Sequence, residues 1–283
     1  MTIDATLPGV THEYVEARGA RFHIARAGVP GGHPAVLLHG IPMHWYLWRK
    51  VIAELASEYD LYCVDLRGCG WSSSTRHGYA TTELAADVLA VLDGLGLDRV
   101  RLIGHETGGW VGFELCLTAP ERFEGLLAVN VAHPWLPRKT MLREAWRFWY
   151  TAFWEYPGVG RTVLRRWPGL TRFLLRRWAG RQYTWDPAEL EEFVRHSRSR
   201  GASRAIEQML WQFVRHDIPA LIRGVWRRRE LTVPAMVLTG ELDPVTGPFP
   251  AVAGVRAEVV PGRHLLPHTA PRLVAAAARE LFG

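Results

Sequence analysis

Between residues 34 and 133 the chain repeatedly switches period. Short apolar runs, "PAVLLHG" (34–40), "DLYCVDLRG" (60–68), "VRLIGHE" (100–106) and "GLLAVNVAH" (125–133), alternate with stretches that repeat their apolar residues at helical spacing, such as "ELAADVLAVLDGLGL" (83–97). Strands apolar on both faces belong inside a parallel sheet covered by helices on both sides. The alternation therefore predicts βαβ units, and "EYVEARGARFHIARAG" before them reads as a two-stranded hairpin. Alternation resumes near the end with strands "PAMVLTG" (234–240) and "AEVVPG" (257–262) and a closing helix "APRLVAAAARELF". The intervening texture is different. Residues 134–230 show helical patterns, no apolar strand, and nine of the 13 tryptophans. A helical segment between two strands of one sheet must return close to where it left. We expect an α/β fold with a mostly parallel central sheet, a split core of residues 1–133 and 231–283, and a helical cap at 134–230.

Composition narrows the class. With 48% apolar residues the chain has material for a substantial core and no signature of disorder. No window approaches eighteen uninterrupted apolar residues, so no membrane span is expected. The N-terminus lacks the basic start and apolar stretch of a secretory signal. Cys63, Cys69 and Cys116 form an odd set without metal-ligand spacing. Reduced thiols in a cytoplasmic protein follow as the expectation, with no metal and no cofactor. The formal charge of +6 is segregated: residues 134–230 carry nineteen Arg and one Lys against nine acids, while the remainder is net acidic. Such a segment suits either an anionic ligand or a solvated basic surface. The basic residues are spread over helices rather than gathered in a nucleic-acid reader, so no nucleic-acid partner is expected.

Candidate chemistry sits where strands end, the place open α/β sheets bind ligands. In Gly104-His105-Glu106-Thr107-Gly108-Gly109, glycines flank a central residue at a strand-to-helix turn, which presents that side chain at the tip. His39-Gly40-Ile41-Pro42 ends an adjacent strand and can aim the Ile41 amide at the same point as the Thr107 amide, forming an oxyanion hole. Asp243 and His264 follow the last two strands, in the order elbow, acid, histidine. His268 is the rival base, but it lies further from its strand and beside Pro267. A zinc site at His264 and His268 would need a helix that Pro267 interrupts.

These features resemble the α/β-hydrolase superfamily, and within it the epoxide hydrolase and haloalkane dehalogenase branch. The resemblance runs the length of the chain through "HGIPMHWYLWRKV", "VDLRGCGWSSS", "GHETGGW", "AVNVAHPW", "LTGELDP" and "PGRH". It implies a carboxylate nucleophile at the elbow, a His–Asp pair that activates water, and cap tyrosines that protonate an opening epoxide. "RFWYTAFWEYPG" places the first such tyrosine on Tyr150. The second falls within "QMLWQFVR", which holds Trp211 and Phe213 but no tyrosine. Dehalogenases of this branch hold halide with Trp after the nucleophile and Asn after His-Gly, positions filled here by Thr107 and Ile41.

The departure of most consequence is Glu106, where the branch has Asp. One more methylene advances the carboxylate by about 1.5 Å. Three readings stand. Glu106 is the nucleophile of an epoxide hydrolase, with His264 as base, Asp243 as its partner and Tyr150 as proton donor. Alternatively, it is the acid or base of a non-hydrolytic isomerisation or cyclisation. Or it pairs with His264 in a silent, nucleophile-substituted binder. For substrate, the aromatic and basic cap suggests a bulky small molecule, anionic or polycyclic aromatic, contacted by His39, Trp45, Trp149, Trp211 and Phe213.

Overall fold

The computed structural model describes residues 7–131, 134, 135, 139, 152–246 and 254–283. They form an eight-stranded sheet in the order β1-β2-β4-β3-β5-β6-β7-β8. The hairpin of β1 (Val10–Ala17) and β2 (Ala20–Gly28) is antiparallel, and β2 also joins β4 antiparallel. The remaining strands, β3 (His33–Leu38), β4 (Tyr59–Val64), β5 (Val100–His105), β6 (Phe123–Val129), β7 (Ala235–Gly240) and β8 (Val255–Val260), pair in parallel. Strands β4, β5 and β7 are buried at every position, because helices cover both faces. The last strand, β8, lies at the edge and is only partly buried, which is why its sequence is mixed.

The helices α1 (Arg49–Leu55), α2 (Thr81–Gly94) and α3 (Thr107–Thr118) follow β3, β4 and β5. Glu83 closes the start of α2 by accepting the Ala80 amide at 3.1 Å. The helix ends just before Gly96, whose φ of +67° a side chain would resist.

Every described residue between β6 and β7 is helix, turn or loop. The insert contains α4 (Val159–Arg166), α5 (Pro168–Ala179), α6 (Pro187–Arg198) and α7 (Arg200–Gln212). A π-helical turn at Phe213–Asp217 leads into α8 (Ile218–Arg223). Its interior is built from Trp154, Leu164, Leu175, Phe193 and Ile206, each at most 1% exposed. Polar ties hold it to the sheet domain: Arg49 to Glu189 (3.1 Å), Lys50 to Tyr183 (2.8 Å) and Thr81 to Asp217 (3.0 Å). The terminal helix α9 (Pro271–Phe282) packs back on α1 and β6. Cys63, Cys69 and Cys116 are buried and unbridged. Among the described residues no helix is long and apolar enough to cross a membrane.

Candidate active site

The turn between β5 and α3 places Glu106 at φ +49°, ψ −111°. A non-glycine residue there is strained and persists only where its surroundings impose it. The constraint is visible on both sides: the Glu106 amide donates to Val129 O, and Glu106 O accepts from the Trp110 amide, both at 3.0 Å. The flanking glycines do not supply the unusual backbone angle, since none of Gly104, Gly108 and Gly109 has a positive φ. They permit close approach instead. A Cβ on Gly108 would stand 2.1 Å from Leu38 O of β3, and one on Gly104 2.5 Å from Gly108 O.

The Glu106 carboxylate is divided. Its Oε2 accepts the Ile41 amide (3.0 Å) and the Thr107 hydroxyl (2.6 Å), whereas Oε1 has no hydrogen bond among the described residues. The Ile41 amide thus reaches the carboxylate from the loop where the sequence reading expects a donor. For Thr107 that reading names the amide; the hydrogen bond present comes from its side chain, because the first residue of α3 lies beside the carboxylate and its hydroxyl reaches Oε2. Gly40 leaves room for this, because a Cβ there would meet Glu106 Cβ and Oε2 at 2.7 Å. The N-terminus of α3 adds a favourable field for a carboxylate.

Across the strand ends, His264 Nδ1–H donates to Asp243 Oδ2 at 3.1 Å, which leaves Nε2 as the basic nitrogen. Asp243 also accepts hydrogen bonds from the Val245 and Thr246 amides, Thr246 Oγ1 and Asn130 Nδ2, at 2.5–3.1 Å. Burial alone would raise its pKa. The charge and hydrogen bond of His264 with the other donors outweigh that, and Asp243 is held below the ordinary carboxylate range. Burial likewise opposes protonation of His264, but the Asp243 charge, its hydrogen bond and the Glu106 charge together hold the imidazole above 6.5. Asn130 and Thr246 are contacts of Asp243 that sequence reading missed. The one available signal was an Asn at a strand end, where φ is +50°.

His105 braces the His264 backbone, donating Nε2–H to His264 O at 2.8 Å. Burial drives His105 down to about 3, so it stays neutral. From the insert, the Trp178 ring meets the His264 ring edge-on at 5.4 Å. No ion pair or hydrogen bond joins Glu106 to His264, so the paired state imagined for a silent binder is absent among the described residues.

The other candidates separate. His39 is fully buried, donates Nδ1–H to Gly40 O (2.9 Å) and accepts the Leu66 amide at Nε2 (3.0 Å). Both ring nitrogens are therefore engaged by backbone, and His39 braces the loop rather than offering a substrate contact. Trp45 is also fully buried, packed among His12, His23 and Trp71 at centroid distances of 5.2–6.2 Å. It is a core wedge, which its aromatic character alone could not reveal. Phe213 does approach the elbow helix, meeting Trp110 edge-on at 5.3 Å. Trp211 lies instead against Tyr156, at 6.2 Å. Tyr150 and Trp149 lie outside the described residues. His268 is stacked on Trp185 at 4.3 Å beside Arg49 Nη2, and burial with that neighbouring charge takes it down to about 2. It is no rival to His264.

A family model described as the alpha/beta hydrolase fold matches residues 34–257. The chain belongs to the α/β-hydrolase family. Within it, similarity falls on the epoxide hydrolase branch. Epoxide hydrolase 4 of Mus musculus is 36% identical over 150 residues, which are 52% of this chain and 42% of that protein. A fluoroacetate dehalogenase of Burkholderia sp. is 26% identical over 282 residues, covering 90% of this chain and 88% of its own. The solved epoxide hydrolase CorEH superposes with a TM-score of 0.79 at 26% identity, covering 96% of this α/β-hydrolase and 98% of that chain. The chain spans less than half the length of the epoxide hydrolases it first matches.

Proposed function

We propose that this α/β-hydrolase opens an epoxide through a covalent ester on Glu106. The observation that carries the reading is the divided carboxylate, with Oε2 held by Ile41 N–H and Thr107 O–H and Oε1 unbonded. Oε1 attacks a ring carbon as the C–O bond breaks, and the epoxide oxygen takes a proton from an acid for which Tyr150 is the candidate. Oε2 then becomes the ester carbonyl oxygen without moving. His264 Nε2 next removes a proton from water as the water oxygen adds to the ester carbon. Negative charge develops on Oε2, where two donors already point, so little reorganisation is needed. Collapse expels the diol oxygen, which takes the proton held by His264; the proton that water leaves on the Glu106 carboxyl passes to the deprotonated acid, so that the carboxylate and the proton donor are both restored. Asp243 keeps the imidazole in the correct tautomer and stabilises its charged form.

Displacement at a carbon–halogen bond begins with the same attack. The side chains that hold halide in that chemistry are replaced here by Thr107 and Ile41, which favours an oxygen electrophile. The aromatic insert and its net positive charge favour a bulky aromatic or anionic epoxide over a small aliphatic one.

The test is intact-protein mass of wild type and His264→Ala after mixing with a panel of aryl epoxides. An adduct of one substrate mass on His264→Ala, mapped to Glu106, is expected. Diol or rearranged product with no adduct would replace the covalent route by proton transfer from Glu106.

A further inference from the structure

The insert carries a concave site of about 620 Å³ whose lining shares no residue with the elbow constellation. It is lined by Thr162, Arg165 and Arg166 from α4, Arg195 and Arg198 from α6, and Ser199 at the start of α7. Two of the guanidinium groups are held in place. Arg198 Nε donates to Arg165 O at 3.2 Å, and Arg195 Nη2 donates to the buried Glu192 at 2.5 Å. Arg165, Arg166 and Arg198 have no ion pair among the described residues. Glu191, also on α6, is engaged by Arg172 at 2.5 and 2.8 Å and feels the Arg198 charge without forming an ion pair with it.

Arginine in the last turn of a helix ordinarily complements the negative end of its dipole. Here two helices, α4 and α6, end side by side, and their termini offset about one of the four positive charges at roughly half a charge each. Glu192 offsets another. Among the described residues about two positive charges thus remain without an ion-pair partner or helix terminus to offset them around one concavity. Guanidinium forks match phosphate oxygens in pairs, and a phosphomonoester carries close to two negative charges near neutral pH. The volume exceeds what a bare phosphate fills and falls in the range of small-molecule sites. Trp167, next in the chain to Arg166, is 64% exposed and presents apolar surface to solvent.

We infer that this arginine-lined concavity binds a phosphomonoester dianion attached to an organic body, at a site separate from Glu106. Two sources share that chemistry: a soluble sugar or polyol phosphate, and a lipid phosphomonoester headgroup. Titration calorimetry with glycerol 3-phosphate and sedimentation with phosphatidylcholine vesicles containing phosphatidic acid distinguish them. Each is run at about 0.1 M salt, where distant surface charges are largely screened. The variants are Arg165→Gln/Arg198→Gln and a charge-matched control, Arg21→Gln/Arg272→Gln, all exposed positions. Saturable one-to-one binding of glycerol 3-phosphate is expected, weakened at least about tenfold in the site pair and less than twofold in the control pair. Binding to the vesicles alone, with the same dependence on variant, would assign the lipid source and equally support the site. No binding to either probe, or equal losses in the two pairs, would overturn the inference. Unchanged melting temperatures and epoxide turnover in the site pair would show that fold and elbow are intact.

Discussion

In the proposed reaction Glu106 is the residue on which the chemistry turns, and its length can be tested directly. Glu106→Gln should lower turnover by at least about 10³-fold while sparing ligand binding, since the amide is a poor nucleophile in the same volume. Glu106→Asp is the more informative change. It withdraws the carboxylate by about 1.5 Å from the Ile41 amide and the Thr107 hydroxyl, and misplacement of that order costs on the order of 10²-fold. Steady-state kinetics showing a rise instead would mean that the site is shaped for the shorter acid. Loss of one oxyanion donor costs roughly 10²-fold or more in kcat; Thr107→Val should therefore be impaired and Thr107→Ser nearly normal. The pH profile follows from His264. Its imidazole must be neutral to act as the proposed base and is held above 6.5 by Asp243 and Glu106. Activity should accordingly fall as pH drops through a midpoint above 6.5. In Glu106→Gln, NMR titration should find that midpoint lowered, because one of the two negative charges is gone.

At the level of elements, close approach rather than glycine flexibility shapes the elbow. Gly108 sits where α3 touches the β3 backbone, with Leu38 O 2.1 Å from the site of any Cβ. Gly108→Ala must push helix and strand apart, and overpacking of this kind typically costs about 1–3 kcal/mol or more. Urea denaturation should show that loss, together with impaired turnover from a displaced Glu106. An alanine there with wild-type stability and rate would mean that the turn does not depend on this contact. The glycine pattern itself was legible in the sequence, but its purpose was not. A spacing of glycines shows that something passes close or bends sharply, and only the register of β5 against β3 identifies Leu38 as the neighbour. The strand ends carrying Asp243 and His264 were equally legible, because period and turn residues mark where a buried strand stops.

For the molecule as a whole, the insert and the sheet domain are joined through a buried acid. Thr81 on α2 donates to Asp217 at the end of the π-helical turn, and burial lifts this carboxyl to about 6. The folded state then keeps a proton between about pH 4 and 6 that the unfolded chain has released. Asp217 thus favours the fold at acid pH, and that contribution is lost as pH rises through 6. Replacement by Asn should raise stability at pH 8 by up to about 3 kcal/mol and leave it unchanged below pH 4, read from melting curves across pH. Burial acts with the opposite sign on His39, held near 4, and His105, held near 3. Each must stay neutral in the fold, so acidification below about 6.5 stabilises the unfolded chain relative to the native one. The two effects predict a stability maximum that moves upward in pH when Asp217 is replaced.

Local pattern determined the alternation of strands and helices, the helical insert and the strand-end positions of Glu106, Asp243 and His264, since period and turn chemistry are properties of neighbouring residues. Tertiary structure decided the rest. It recruited Asn130 and Thr246 to Asp243, turned the Thr107 hydroxyl onto Oε2, and gave both nitrogens of His39 and the whole of Trp45 to packing. Periodicity shows which side of an element is buried, but not which atom of a distant element will meet it there. The unequal bonding of the two oxygens of one carboxylate is a matter of ångströms between β3, β5 and α3, and those distances exist only once the sheet has closed.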